Sequence, residues 1–277
     1  MFIRILIAAI LTNGCTEPPP CKNSEEILSG AATLNVVVLG DTGKGDARQM
    51  QVAQAIGKVC GDVGCDFALL LGDNIYPSGV VGVDDRGWQT AFEIPYGTLN
   101  FPFYAVLGNH DYGARGEGYE FGRGAHQIAY SQINPKWRMP ATCYDFAAGP
   151  AHFFAFDTMR MVWNQNNDAA AQERWFYAQP PPAKPWRIAF GHHSYRSNGP
   201  HGNAGEYDGR TWPPAQSGAA VRTFMQQTLC HSVDLYLSGH DHNRQILRGN
   251  DDCPMHLVVS GAGSGVYRLS GKNPTVF

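Results

Sequence analysis

No basic stripe runs through this sequence. Lysine and arginine total 21 against 24 acidic residues, a formal net charge of −3 over 277 residues. A nucleic-acid partner is therefore not expected, because gripping a phosphate backbone draws on clustered positive charge. Long apolar runs are equally scarce. The one near the N-terminus, Ile5 to Leu11, is too short to span a bilayer. The seven cysteines show no zinc-finger spacing, which argues against a thiolate metal site. No internal repeat is present. Low-complexity stretches are limited to EPPP (17–20) and QPPPAKP (179–185), the latter read as a surface loop. Apolar residues make up 43% and aromatics 12%, an ordinary globular composition able to bury a sizeable core.

The N-terminus reads MFIRILIAAILTNGC. Arg4 ahead of a short apolar run suits an export signal over 1–14. Cys15 after Gly14 resembles a bacterial lipoprotein cleavage site; ordinary secretion with cleavage near Gly14 is the other reading. Either way an exported protein is expected: periplasmic, a cell-envelope lipoprotein, or secreted. Membrane contact would come only through that lipid. Residues 15–30 read as linker and 31–277 as one domain. With Cys15 lipidated, six cysteines remain for an oxidising compartment. Cys60 and Cys65 flank the turn GDVG, and Cys230 and Cys253 could staple two strands. Cys21 and Cys143 are left over, and nothing in the sequence pairs them.

Six apolar, β-branched runs each end in glycine and polar residues: LNVVVLGDTG (34–43), DFALLLGDNIY (66–76), FPFYAVLGNHD (101–111), WRIAFGHHS (186–194), VDLYLSGHDHN (233–243) and HLVVSGAGSG (256–265). Continuous runs of this kind suit strands buried on both faces. Between the first two, Val52, Ile56 and Val59 recur at helical spacing with Ala55 beside them. This is an amphipathic helix in a βαβ unit, with Asp46 placed as its N-cap. Residues 166–178 and 215–230 read as further helices. AHFFAFD (151–157) is another strand, and its Asp157 is expected to support the site.

A core strand needs an apolar body; it does not need chemistry at its end. Five of these strand ends carry Asp41; Asp73 and Tyr76; Asn109 and His110; His192; and His240 and His242. In open α/β sheets ligand sites form beyond the carboxyl ends of the strands. The combined set offers oxygen and imidazole donors without thiolate, which suits Fe, Mn or Zn and exceeds what one ion needs. Two ions about 3.5–4 Å apart would use it, with a carboxylate between them. Glycine precedes each first donor, at 40, 72, 108, 191 and 239, where a missing Cβ lets the backbone come close.

Gly40-Asp41-Thr42-Gly43, Gly72-Asp73-Asn74-Ile75-Tyr76, Gly108-Asn109-His110-Asp111, Gly191-His192 and Gly239-His240-Asp241-His242 resemble the five motifs of calcineurin-like metallophosphoesterases. The tyrosine three residues after Asp73 is similar to the purple acid phosphatase branch. QIAYSQI (127–133) and SGHDHNRQIL (238–247) resemble its mammalian-type, tartrate-resistant members. The likeness spans about 34–267. It implies a four-layer α/β/β/α sandwich of two mixed sheets, with the metal site at the strand C-terminal ends. It also implies Fe(III) held by Asp41, Asp73, Tyr76 and His242, and Fe(II), Zn or Mn held by Asp73, Asn109, His192 and His240.

The activity implied is hydrolysis of phosphomonoesters, small or on phosphoproteins, with metal-held hydroxide attacking phosphorus in line. A phosphodiesterase, nucleotidase or phosphoprotein phosphatase with divalent metals is the alternative, and a non-catalytic surface-binding lipoprotein a further one. His110 and His201 are implied to face the substrate, and Asp111 and Asp241 to orient imidazoles. His193 should point to the opposite face by strand alternation. His126, His152, His231 and His256 match no motif. The family continues beyond the SGAG strand, so the edge of the second sheet is expected to be bare.

Overall fold

The computed structural model describes residues 21–23, 26–179, 183–210 and 214–277. The expected export signal over 1–14 and Cys15 lie outside them. Two sheets organise the chain. The smaller contains β2 (Val36–Leu39), β3 (Phe67–Leu71), β4 (Phe103–Val106) and β5 (Trp137–Arg138) in that order, all parallel. The larger holds β1 (Lys22–Asn23), β6 (Tyr144–Ala148), β7 (Ala151–Ala155), β8 (Trp186–Phe190), β9 (Leu235–Ser238), β10 (Arg244–Leu247) and β11 (His256–Ser260). Its order is β1-β6-β7-β8-β9-β11-β10, with mixed directions. The expected strands correspond to β2, β3, β4, β7, β8, β9 and β11.

Strand alternation separates the faces of each sheet. Phe153 of β7 turns inward and meets Phe67 of β3 at 5.4 Å edge-on, while Phe146 of β6 stacks on Tyr104 of β4 at 4.1 Å. Tyr144 crosses the same interface and donates its hydroxyl to the Ala105 carbonyl at 2.9 Å. On the outer faces, Phe154 meets Phe176 of the helix Asp168–Tyr177, and Phe103 meets Phe92 of the helical stretch 86–96. Four layers result. Helix α1 (Ala47–Val63) starts at Asp46, whose side chain accepts from the N–H groups of Arg48 and Gln49. Its Ala53 is buried, but Val59 and Val63 are exposed and line an apolar groove of about 760 Å³ beside β2. Val59, expected on the buried face, therefore borders solvent. Among the described residues no helix is long and apolar enough to cross a membrane.

Two expectations about the periphery change. Part of the 15–30 segment is not a free linker: β1 pairs with β6, Ile27 bridges to Ala148, and Cys21 joins Cys143. The outer edge of the larger sheet is not bare either. Val276 donates to the Ile246 carbonyl at 2.7 Å and Ile246 to the Phe277 carbonyl at 3.0 Å, so the last residues run along β10. Among the described residues the strands with a partner on one side only include β2 and β5 in the smaller sheet and β1 in the larger.

Cys60–Cys65 and Cys230–Cys253 are also bonded, as their positions suggested. The three bridges enclose separations of 122, 23 and 5 residues. Loop-closure entropy then ranks them at about 5, 3 and 2 kcal/mol. Paired Cys→Ser replacements should lower the melting temperature in that order, Cys21/Cys143 most; thermal unfolding of the three double variants checks the ranking.

Candidate metal centre

The C-terminal ends of β2, β3, β4, β8 and β9 open onto one spot. Each donor leaves its strand through a tight turn, and three do so in a backbone region that side chains disfavour: Asp41, Asp73 and His240 have φ of 58°, 52° and 67°. Such a conformation persists only where the surroundings hold it. Here Asp41 N–H donates to the Gly72 carbonyl, and Asp41 Oδ2 accepts from His240 N–H at 2.8 Å. Glycine makes the approach feasible. A Cβ at Gly108 would overlap the Asp73 carboxylate, and one at Gly72 would sit 2.7 Å from His192 Nδ1.

All seven expected ligand residues meet here. Tyr76 Oη lies 2.9 Å from Asp73 Oδ2, 3.3 Å from Asp41 Oδ1 and 3.2 Å from His242 Nε2. His192 Nε2 lies 3.5 Å from Asp73 Oδ1, 2.9 Å from Asn109 Oδ1 and 3.2 Å from His240 Nδ1. Asp73 thus offers one oxygen to each half. Asp41, Asp73 and His192 alone bring donor atoms within 4.8 Å of one another.

The hydrogen positions test whether cations fit. His192 Nδ1 must carry its proton, because its partner is the Leu71 carbonyl at 2.8 Å. When the ring is neutral, as metal binding requires, it turns a lone pair at Nε2 toward Asn109. That amide is also fixed, since its nitrogen donates to the Gly116 carbonyl at 2.9 Å and leaves Oδ1 facing the imidazole. Two acceptors 2.9 Å apart with no proton between them repel unless a cation lies between them. Imidazole, amide, carboxylate and phenol donors without sulfur fit Fe, Mn or Zn.

Electrostatics agree with this reading. Burial pushes the Asp41 carboxyl up to about 8, and it drives the Tyr76 phenol far above its ordinary value, with Asp73 and Asp41 adding to the rise. Burial opposes ionisation of Asp73 too, but His192 and His110 outweigh it and hold Asp73 low. Burial lowers His240 well below the usual imidazole range and His242 to about 4, with Lys44 assisting at His242. Neutral imidazoles with free lone pairs are what a metal requires.

The remaining expected residues fall around this cluster. His110 packs on the Tyr76 ring at 4.3 Å and is held through Nδ1 by the Pro77 carbonyl at 2.8 Å. His201 packs on His240 at 4.1 Å, its Nδ1 2.7 Å from Asp208 Oδ1. Burial works against charge on His201, but Asp208 and Asp241 raise it overall. A cavity of about 170 Å³ adjoins it, lined by Asn109, Trp163, His193, His201, Arg210 and His240.

Asp111 and Asp241 hold backbone rather than imidazoles. Asp111 accepts from the N–H groups of Asn74, Ile75 and Gly108 and from the Gln127 amide, tying the turn after β3 to the turn after β4. Asp241 accepts from His201 N–H at 3.0 Å. His193 does not face away. β8 ends at Phe190, so alternation stops there, and the ring lies 4.6 Å from His240 with Nδ1 on Thr158 Oγ1. Asp157 caps the helix Thr158–Trp163 and accepts from Tyr112, a supporting role as expected. Asn74 and Gln127 lie inside motif segments but have no role readable from them, and Thr158, Asp208 and Tyr267, which stacks on His242 at 4.6 Å, belong to no motif.

Comparison with known proteins agrees with this geometry. The model of the calcineurin-like phosphoesterase family matches residues 34–244. Tartrate-resistant acid phosphatase type 5 of Oryctolagus cuniculus is 30% identical over 261 residues, 84% of this chain and 73% of the rabbit protein. Purple acid phosphatase 4 of Arabidopsis thaliana is 28% identical, over 85% of this chain and 70% of its own. Among solved structures, purple acid phosphatase PPD1 of yellow lupin superposes with a TM-score of 0.63 at 19% identity, covering 90% of this chain and 48% of that one. GAP50, the anchor in the inner membrane complex of Plasmodium, superposes with a TM-score of 0.66 at 23% identity, covering 88% and 77%. At those identities the structures speak to fold alone. Taken with the five strand-end turns, the family match over 34–244 means that the chain belongs to the calcineurin-like phosphoesterases.

Proposed function

We propose that the protein is an acid phosphatase that hydrolyses phosphate monoesters at a pair of metal ions. The observation that carries this is the double facing of Asp73, with Oδ2 toward Tyr76 and Oδ1 toward His192. Asp41, Asp73, Tyr76 and His242 would hold Fe(III), and Asp73, Asn109, His192 and His240 would hold Fe(II), Zn or Mn. When bound, two such ions make water acidic enough to act as a nucleophile and offset charge on the phosphoryl oxygens. The chain's residues supply the rest. Tyr76 is a hard oxygen donor set among two carboxylates, so its phenolate form calls for a strongly charged cation such as Fe(III).

His110 and His201 flank opposite halves of the donor set, one against Tyr76 and the other against His240. Each ring is fixed through Nδ1, to Pro77 and Asp208; His110 Nε2 lies 4.0 Å from Asp73 Oδ2, beside the donor set, and the other nitrogen of His201 is left to meet a phosphoryl or leaving-group oxygen. A protonated imidazole in either place stabilises a departing alkoxide, which suits work at acid pH. The adjoining cavity accommodates the ester's organic portion, with Trp163 on its wall. The three disulfides support folding in an oxidising compartment, in keeping with an exported protein.

Elemental analysis should find two metal ions per chain, together with turnover of p-nitrophenyl phosphate well above that of its bis-ester. Asp73→Asn should reduce bound metal to below one ion and lower kcat by about a thousandfold or more, since both halves lose a ligand. Wild-type turnover in that variant would sink the proposal. His201→Ala should keep its metal yet lose roughly 100-fold in kcat. The loss should be larger on alkyl phosphates than on p-nitrophenyl phosphate, whose leaving group needs no proton; equal losses on both would remove His201 from leaving-group departure.

A further inference from the structure

Lys44 stands beside the phenol. Its Nζ lies 5.3 Å from the centroid of the Tyr76 ring, within the range of a cation–π contact. The ammonium lies over Gly265: a Cβ added there would come within 3.3 Å of Lys44 Nζ and 3.5 Å of His242 Nδ1. The backbone beneath it is tied to the ligand turn. Lys44 N–H donates to the Thr42 carbonyl, Gly43 N–H to the Asp73 carbonyl and Tyr76 N–H to the Gly43 carbonyl. Lys44 therefore travels with Asp73 and Tyr76. Among the described residues no carboxylate forms an ion pair with it, so its charge is not cancelled locally.

We propose that Lys44 is a positioning residue of an electronic kind: its fixed charge tunes how strongly Tyr76 donates to the ion it binds. A positive charge beside a phenolate stabilises the electrons on oxygen and ring. Charge transfer from that phenolate to Fe(III) then costs more energy, and the visible band moves to shorter wavelength. This rests on the ferric reading of the site above.

The test is the visible spectrum of iron-loaded wild type, Lys44→Met and Lys44→Arg. Lys44 is exposed, so neither change disturbs the core. Lys44→Met should move the band to longer wavelength by roughly 10–40 nm, the displacement expected for a unit charge at this range. Lys44→Arg should keep the band close to the wild-type position. An unmoved band in Lys44→Met, including one accompanied by a raised KM that points to substrate contact instead, overturns the inference. So does a band that moves equally in Lys44→Arg. A wild-type protein that binds two iron ions and shows no visible band overturns the ferric reading itself, and this inference with it.

Discussion

Lone pairs crowd one another where five strands end. His192 Nε2 faces Asn109 Oδ1, with the proton of the neutral ring held at Nδ1 by Leu71 and the amide nitrogen held by Gly116. A protein interior tolerates such an arrangement poorly, since each acceptor has given up water and gained no donor. The rest of the molecule is organised to keep these groups in place. Parallel strands set the spacing of the ends, and the aromatic packing of Phe67, Phe146 and Phe153 locks one sheet against the other.

Between the sheets and the donors lie the turns, and they carry the strain. Asp41, Asp73 and His240 each adopt a left-handed backbone that costs on the order of 1–3 kcal/mol. Asp111 offsets part of that cost. Fully buried, it collects N–H groups from two ligand turns, and burial followed by the charge of Asp73 pushes its carboxyl up to about 7. It acts as a cross-tie between loops, which explains why a carboxylate so near the centre faces away from it.

The sequence made the donors legible because each one terminates an apolar run, and the change from β-branched residues to Gly-Asp or Gly-His marks the end of a strand. The runs by themselves indicate strands buried on both faces, and the four-layer arrangement of two sheets came with the family resemblance that their ends carry. What failed to register depends on tertiary contact. Asp208 lies seven residues past His201 in an ordinary-looking loop, and only the folded backbone brings its carboxylate to the ring. The cystine of Cys21 and Cys143 spans 122 residues with no local cue. β1 and β5 are only two residues long, and short edge strands carry too little periodicity to read; β6, five residues long, also has no counterpart among the expected runs. His193 escapes strand alternation because β8 stops at Phe190.

The donor set is also stretched along the chain: Asp41 and His240, which share a hydrogen bond, are 199 positions apart. A polypeptide emerging from a ribosome, or from a translocation pore, lacks a finished chelate until His242 has passed, about two hundred positions after Asp41. Partial sets such as Asp41 with Asp73 would hold ions only loosely in the meantime. Metal capture is thereby deferred to wherever the completed chain folds, and the ions available there, rather than at the place of synthesis, decide which pair the protein acquires.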